Sequence, residues 1–147
     1  MGGLNHYFAV MPKDSNYVID NNNPNKIIID DGIILYTADT MDWITGFNPS
    51  DQTFVNGLCY YGITCFDNDL IHPFQNLMVN WRNIFSNAPD DFILTGNWQT
   101  FVDNPDKGHY EKILVNRDML LGQLDILIGY CKQVSHNENL VLVHNGI

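Results

Sequence analysis

Charge is scarce in this chain, and positive charge is scarcest. Charged residues make up 16% of the 147 positions, against about 25% in an average domain. Seven Lys and Arg stand against 17 Asp and Glu, for a net charge of −10. Such a surface repels nucleic-acid phosphates and anionic lipid, so neither is an expected partner. Long apolar runs are missing too: none approaches the ~20 residues that span a bilayer. The start, MGGLNHYFAVMPKD, has neither the basic flank nor the apolar stretch of a signal peptide. Cysteine is sparse, and Cys59, Cys65 and Cys131 form no CxxC pair. Reduced thiols and a cytoplasmic location are the expectation.

Cofactor and catalytic signatures are absent as well. There is no GxGxxG or Walker loop to cradle phosphate, no GxSxG elbow and no HExxH pair. Calcium-loop registers fail from Asp20, where Pro24 takes a ligand position, and from Asp103, where Pro105 and Lys107 do. No cofactor and no metal are expected.

What is present describes one domain over residues 1–147. Apolar residues reach 45%, and a chain of this length buries roughly 68–70% of its unfolded surface, enough to fold without a metal or disulfide. The run Asn21–Asn25 reads as a loop. Lys26–Tyr36 reads as a hairpin: Ile27–Ile29 and Ile33–Tyr36 flank Asp30-Asp31-Gly32, a sequence suited to a tight turn. His6–Met11 and Tyr17–Ile19 are further strand candidates, and Thr40–Phe47 a short helical turn. Leu58–Phe66 alternates as a strand, with Cys59 and Cys65 on one face roughly 20 Å apart, too far for a disulfide. Phe74, Leu77, Met78, Trp81 and Phe85 fall on one face of a helix that ends before Pro89. Phe92–Gly96 and Lys112–Val115 are strands, with Asn104–Gly108 a loop between them. Asn116 caps a second helix whose apolar face carries Leu120, Leu121, Leu124, Leu127, Ile128, Cys131 and Val134 and which stops near Asn137. Leu140–Val143 is apolar without a break, as in a strand buried on both faces. The order predicts an α+β fold, a mixed or antiparallel sheet with two main helices packed on one face. It does not follow the alternation of a dinucleotide-binding fold.

The stretch CFDNDLIHP, residues 65–73, gathers a thiol, carboxylates and an imidazole. It reads as the approach to the first helix. Proline disfavours the helical conformation at the residue before it, so His72 is the expected N-cap and Pro73 the first helical residue. Asp67 and Asp69 then lie upstream of a positive helix end. The other histidines, including His144 after the buried strand, read as polar punctuation at element ends. Cys65 reads as an inert core thiol, because Asp67 and Asp69 oppose thiolate formation.

The candidate site residues are aromatics outside the helical stripes that stand beside acids. Asp42 precedes Trp43, and Trp98 and Tyr110 flank a loop holding Asp103 and Asp106. Surface aromatics anchor interfaces, and carboxylates steer a basic partner toward them. In size, acidity, Asp and Asn richness, reduced cysteines and missing catalytic motifs, the chain resembles bacterial immunity proteins that neutralise polymorphic or contact-dependent toxins. The resemblance implies a non-enzymatic inhibitor of a basic toxin domain, for instance a nuclease. Two other classes stay open: a small hydrolase-like enzyme using His72 or His144 with an Asp, and a cation-binding or self-associating domain.

Overall fold

The apolar run Leu140–Val143 lies within a strand at the interior of a six-stranded sheet, because both its faces repel water. The computed structural model describes residues 3–147; Met1 and Gly2, where the signal-peptide reading begins, lie outside them. The elements are β1 (Asn5–Pro12), β2 (Ile27–Asp30), α1 (Asp31–Tyr36), α2 (Ala38–Met41), β3 (Thr45–Asn48), β4 (Thr53–Asn56), β5 (Ile63–Phe66), α3 (Ile71–Phe85), β6 (Asp91–Phe101), β7 (Asn104–Asn116), α4 (Arg117–Ser135) and β8 (Leu140–Asn145). The sheet order is β2-β1-β8-β5-β3-β4, with β6 and β7 forming a separate two-stranded sheet. Every pairing is antiparallel. The fold is α+β.

Side-chain alternation divides the sheet into two faces. Phe8, Phe66 and Leu142 join the main core with α3 and α4. That core takes Ile71, Phe74, Met78, Trp81 and Phe85 from α3, and Leu120, Leu124, Leu127, Ile128, Cys131 and Val134 from α4. The opposite face holds a smaller cluster of Ala9, Cys65, Val141 and Val143, covered by Ile19 and Tyr17. Asn145 fastens that cover: its Oδ1 accepts from the Ile19 N–H at 2.9 Å and its Nδ2 donates to the Tyr17 carbonyl at 2.9 Å. The strand expected at Tyr17–Ile19 does not form. Tyr17 has φ 59°, a left-handed conformation that a β-ladder does not admit, and the Asn145 amide replaces the ladder.

Several local expectations change for physical reasons. The hairpin expected over Lys26–Tyr36 is a strand followed by a helix. Asp30 is extended, and its side chain accepts from the Gly32 N–H, so it caps α1 instead of opening a turn. Ile33 and Ile34 are then buried on α1, and β2 pairs with β1. In Thr40–Phe47 the helical turn stops at Met41 and β3 begins at Thr45. The strand expected over Leu58–Phe66 is shortened to Ile63–Phe66, because Cys59–Gly62 closes a turn through Gly62 N–H and the Cys59 carbonyl. All three thiols are free. The loop expected at Asn104–Gly108 is drawn into β7 through register shifts, and Pro105 is tolerated because the two-stranded sheet leaves both outer edges unpaired.

The start of α3 also differs from the expectation. The helix begins at Ile71 with Leu70 as its N-cap, so His72 is helical and exposed. Pro73 falls at the third position, where its missing N–H still belongs to the unbonded first turn. Asp67 organises the approach: its Oδ1 accepts from the N–H groups of Asp69 at 2.9 Å and Leu70 at 3.1 Å. Asp67→Asn, which keeps an acceptor oxygen, and Asp69→Asn are each expected to cost at most about 1 kcal/mol. Their urea midpoints compared with the parent chain check this.

Candidate functional site

Two places gather polar or aromatic groups in a way that packing alone does not demand. The first is inside the sheet. β1, β8 and β5 are neighbours, and His144 lies cross-strand from both Phe8 and Thr64. By alternation, His6, His144 and Thr64 therefore share the helix-facing side. All three are fully buried. His6 Nδ1 lies 2.8 Å from His144 Nε2, and His6 Nε2 lies 2.9 Å from Asp31 Oδ1. His144 Nδ1 is 3.3 Å from Thr64 Oγ1, which accepts from the Cys59 N–H at 2.7 Å.

One assignment of protons satisfies this whole chain with both imidazoles neutral. The Thr64 hydroxyl donates to His144 Nδ1, His144 Nε2–H donates to His6 Nδ1, and His6 Nε2–H donates to the Asp31 carboxylate. No buried side-chain polar atom lacks a partner among the described residues. Burial, which penalises the charged form, pushes the His144 pKa down to about 3. The Tyr60 ring lies 5.3 Å from that of His6; burial and then the nearby Asp31 push the Tyr60 pKa up to about 12. Tyr60 is positioned by the end of the chain. The Ile147 N–H bonds the Tyr60 carbonyl at 3.0 Å, and the Gly146 N–H bonds the Gly62 carbonyl at 2.8 Å. A Cβ at Gly146 would collide with the Tyr60 carbonyl oxygen, so this close approach requires glycine. On the other side Gly46 leaves room for Thr64, whose Cγ2 is 2.5 Å from where a Cβ would stand.

Chemically this chain of hydrogen bonds is a series, not a convergent cage. Each ring nitrogen is already used, and no group of three His, Cys, Asp or Glu is placed to hold a metal ion among the described residues. Of the two histidines singled out for an enzyme, His72 is exposed on α3, and His144 reaches a carboxylate only through His6. The sequence reading missed His6, Asp31, Thr64 and Tyr60 as a group. Burial raises the Cys65 and Cys131 thiols to about 12, with Asp67 adding to the effect at Cys65, so neither is a ready nucleophile.

The second place is the β6–β7 arm. Its base is held by Phe92, Leu94, Ile113 and Val115, which meet the main core. From Asn97 to Tyr110 nearly every residue is exposed. Trp98 and Tyr110 are cross-strand partners with ring centroids 5.0 Å apart in an edge-to-face pair. Phe101 and Val102 follow at the tip, Val102 completely exposed. Asp103 lies at the turn and Asp106 on the returning strand, both exposed. The structure thus brings four of the six candidate residues onto one arm. Asp42 and Trp43 stand elsewhere, on the turn after α2, with Trp43 79% exposed.

No helix among the described residues is long and apolar enough to cross a membrane. No protein family, curated protein or solved structure matches this chain.

Proposed function

We propose that the chain is a non-enzymatic acidic binding protein of the cytoplasm that neutralises a basic protein partner, in the manner of bacterial immunity proteins and their toxins. One observation carries the reading. The β6–β7 arm presents Trp98 and Tyr110 as an exposed edge-to-face pair, with Asp103 and Asp106 exposed farther along the same arm. An isolated two-stranded hairpin is at best marginally stable in water, and aromatic rings left in solvent are what interface anchors look like before binding. The positive charge that would oppose such a partner is partly tied up: Arg82 pairs with Asp125, and Arg117 with Asp90 and Asp118.

The test is co-expression with the product of the adjoining gene, followed by kinetics on the complex. A stoichiometric complex is expected, with an association rate that falls steeply with salt, since ~0.15 M salt screens charges beyond about 8 Å. Asp42→Asn, Asp103→Asn and Asp106→Asn should slow association. Trp98→Ala and Trp43→Ala should speed dissociation by about 30-fold, the equivalent of a 2 kcal/mol anchor. Salt-independent association, or dissociation untouched by every aromatic variant, removes this reading.

A second reading, a small hydrolase-like enzyme, draws on the 2.9 Å contact of His6 with Asp31 and on Tyr60 beside them. Full burial of His6 and His144 weighs against it, because a general base must reach the proton it takes. Turnover of a small ester or amide by the isolated chain, lost in a folded His6→Gln variant, would put this reading first.

A further inference from the structure

A groove of two chambers lies between the arm's base and the helices α1, α2 and α3, with Tyr36 in the lining of both. On one side is an apolar chamber of about 410 Å³, with Trp81, Phe85, Ile84, Phe92 and Leu94 in its lining. On the other is a polar chamber of about 280 Å³ lined in part by Asp39 and Glu111. Neither chamber is lined by Lys, Arg or His. Neither acid makes an ion pair among the described residues.

The sequence explains why the polar chamber exists. Alternation places Phe92, Leu94 and Gly96 of β6 on the inner face with Val115, Ile113 and Glu111 of β7. Gly96 has no side chain, and Glu111 Oε2 lies only 3.1 Å from where its Cβ would be. The carboxylate therefore occupies space that a larger residue would contest. At the rim Tyr36 is half exposed and Ile84 is 65% exposed. Apolar surface and unpaired negative charge are thus offered to solvent side by side.

We propose that this groove docks one segment of the basic partner: a bulky apolar side chain with a lysine or arginine next to it. The apolar side chain enters the chamber over Trp81 and Phe85, and the cation lies between Asp39 and Glu111. The inference rests on the binding reading for the identity of the partner, and adds a second contact, apart from the arm's tip. Charge selects the occupant, because an acidic segment would meet two carboxylates with no cation to relieve them. An aromatic anchor in a preformed pocket beside a complementary charge is the arrangement that concentrates binding energy in few residues.

The experiment uses the full chain, labelled with ¹⁵N, and two blocked tripeptides. One is lysyl-tryptophanyl-lysine, the other glutamyl-tryptophanyl-glutamate. The lysine peptide is expected to shift the amide signals of Tyr36, Ile84, Leu94 and Glu111 and to bind about tenfold more tightly than the glutamate peptide. Asp39→Asn with Glu111→Gln should erase that difference. Tyr36→Ser with Ile84→Asn, both exposed positions, should weaken both peptides, whereas Asn80→Ala, exposed on α3 away from the groove's lining, should change neither. Equal affinity for the two peptides, no binding at millimolar concentration, or shifts confined to Trp98 and Tyr110 overturns the proposal. A partner complex unaffected by the Tyr36 and Ile84 changes overturns the groove and leaves the binding reading standing. A groove that takes the lysine peptide in a chain with no protein partner does the reverse.

Discussion

Acidification from pH 7 to pH 4 is expected to remove about 3 kcal/mol of folding stability through His144 alone. The sign follows from where the proton goes. In the unfolded chain this imidazole binds a proton below its ordinary pKa of 6.5; in the folded protein it stays neutral down to about 3. The unfolded state therefore holds the extra proton throughout that window. Stability is full above pH 6.5 and falls by about 1.4 kcal/mol per pH unit as the pH drops toward 3. The physical cause is that His144 is completely buried beside the Phe8 ring, 5.0 Å away, and already receives a hydrogen bond and gives one. A charged ring there would have to repel or re-tautomerise its neighbours. Urea titrations at half-unit steps from pH 7 to pH 5, above the usual carboxylate range, measure the slope. It should be shallower by one proton in His144→Gln. An unchanged slope in that variant would mean that His144 is not held neutral.

Trp81→Ala is expected to lower stability by about 3–5 kcal/mol, the usual cost of deleting a buried large aromatic. Trp81 is 4% exposed and lies on the α3 stripe between Met78 and Phe85. Its indole N–H donates to Thr40 Oγ1 at 3.0 Å, and the Thr40 hydroxyl donates to the Thr37 carbonyl at 2.8 Å. One side chain thus fills the core and ties α2 to α3. Asn80→Ala, on the exposed side of the same helix, should stay within about 0.5 kcal/mol. The check is the urea midpoint of each variant at unchanged slope with denaturant. Equal small shifts would show that α3 turns another face to the sheet.

The helices were legible in the sequence because their signals are local. The stripe from Phe74 to Phe85 and the face from Leu120 to Val134 follow from a 3.6-residue period, and both are buried except at their margins, where Leu77 and Leu121 are half-buried. The cap at Asn116 is legible for the same reason: its Oδ1 reaches the Met119 N–H, three residues on, at 2.9 Å. The depth of Leu140–Val143 could be read from composition alone, since such a run is stable only with both faces covered. Ile27–Tyr36 shows the limit. Asp-Gly with flanking isoleucines serves a turn or a helix start equally well, and only pairing of β2 with β1 leaves Asp30 free to cap α1.

The candidate sites divide along the same line. That Trp43, Trp98 and Tyr110 lie outside any helical stripe is a local fact, and all three are exposed. That Trp98 meets Tyr110, and that an apolar chamber opens beside Asp39 and Glu111, depends on strand register and on how the arm's base meets α1, α2 and α3. The buried chain of hydrogen bonds is the furthest case. His6 and His144 are 138 positions apart, joined only because β8 returns between β1 and β5. Periodicity can place each imidazole on a face of its own strand. Which strands become neighbours is decided by burying apolar faces and pairing backbone groups over the whole chain, and no short stretch carries that information.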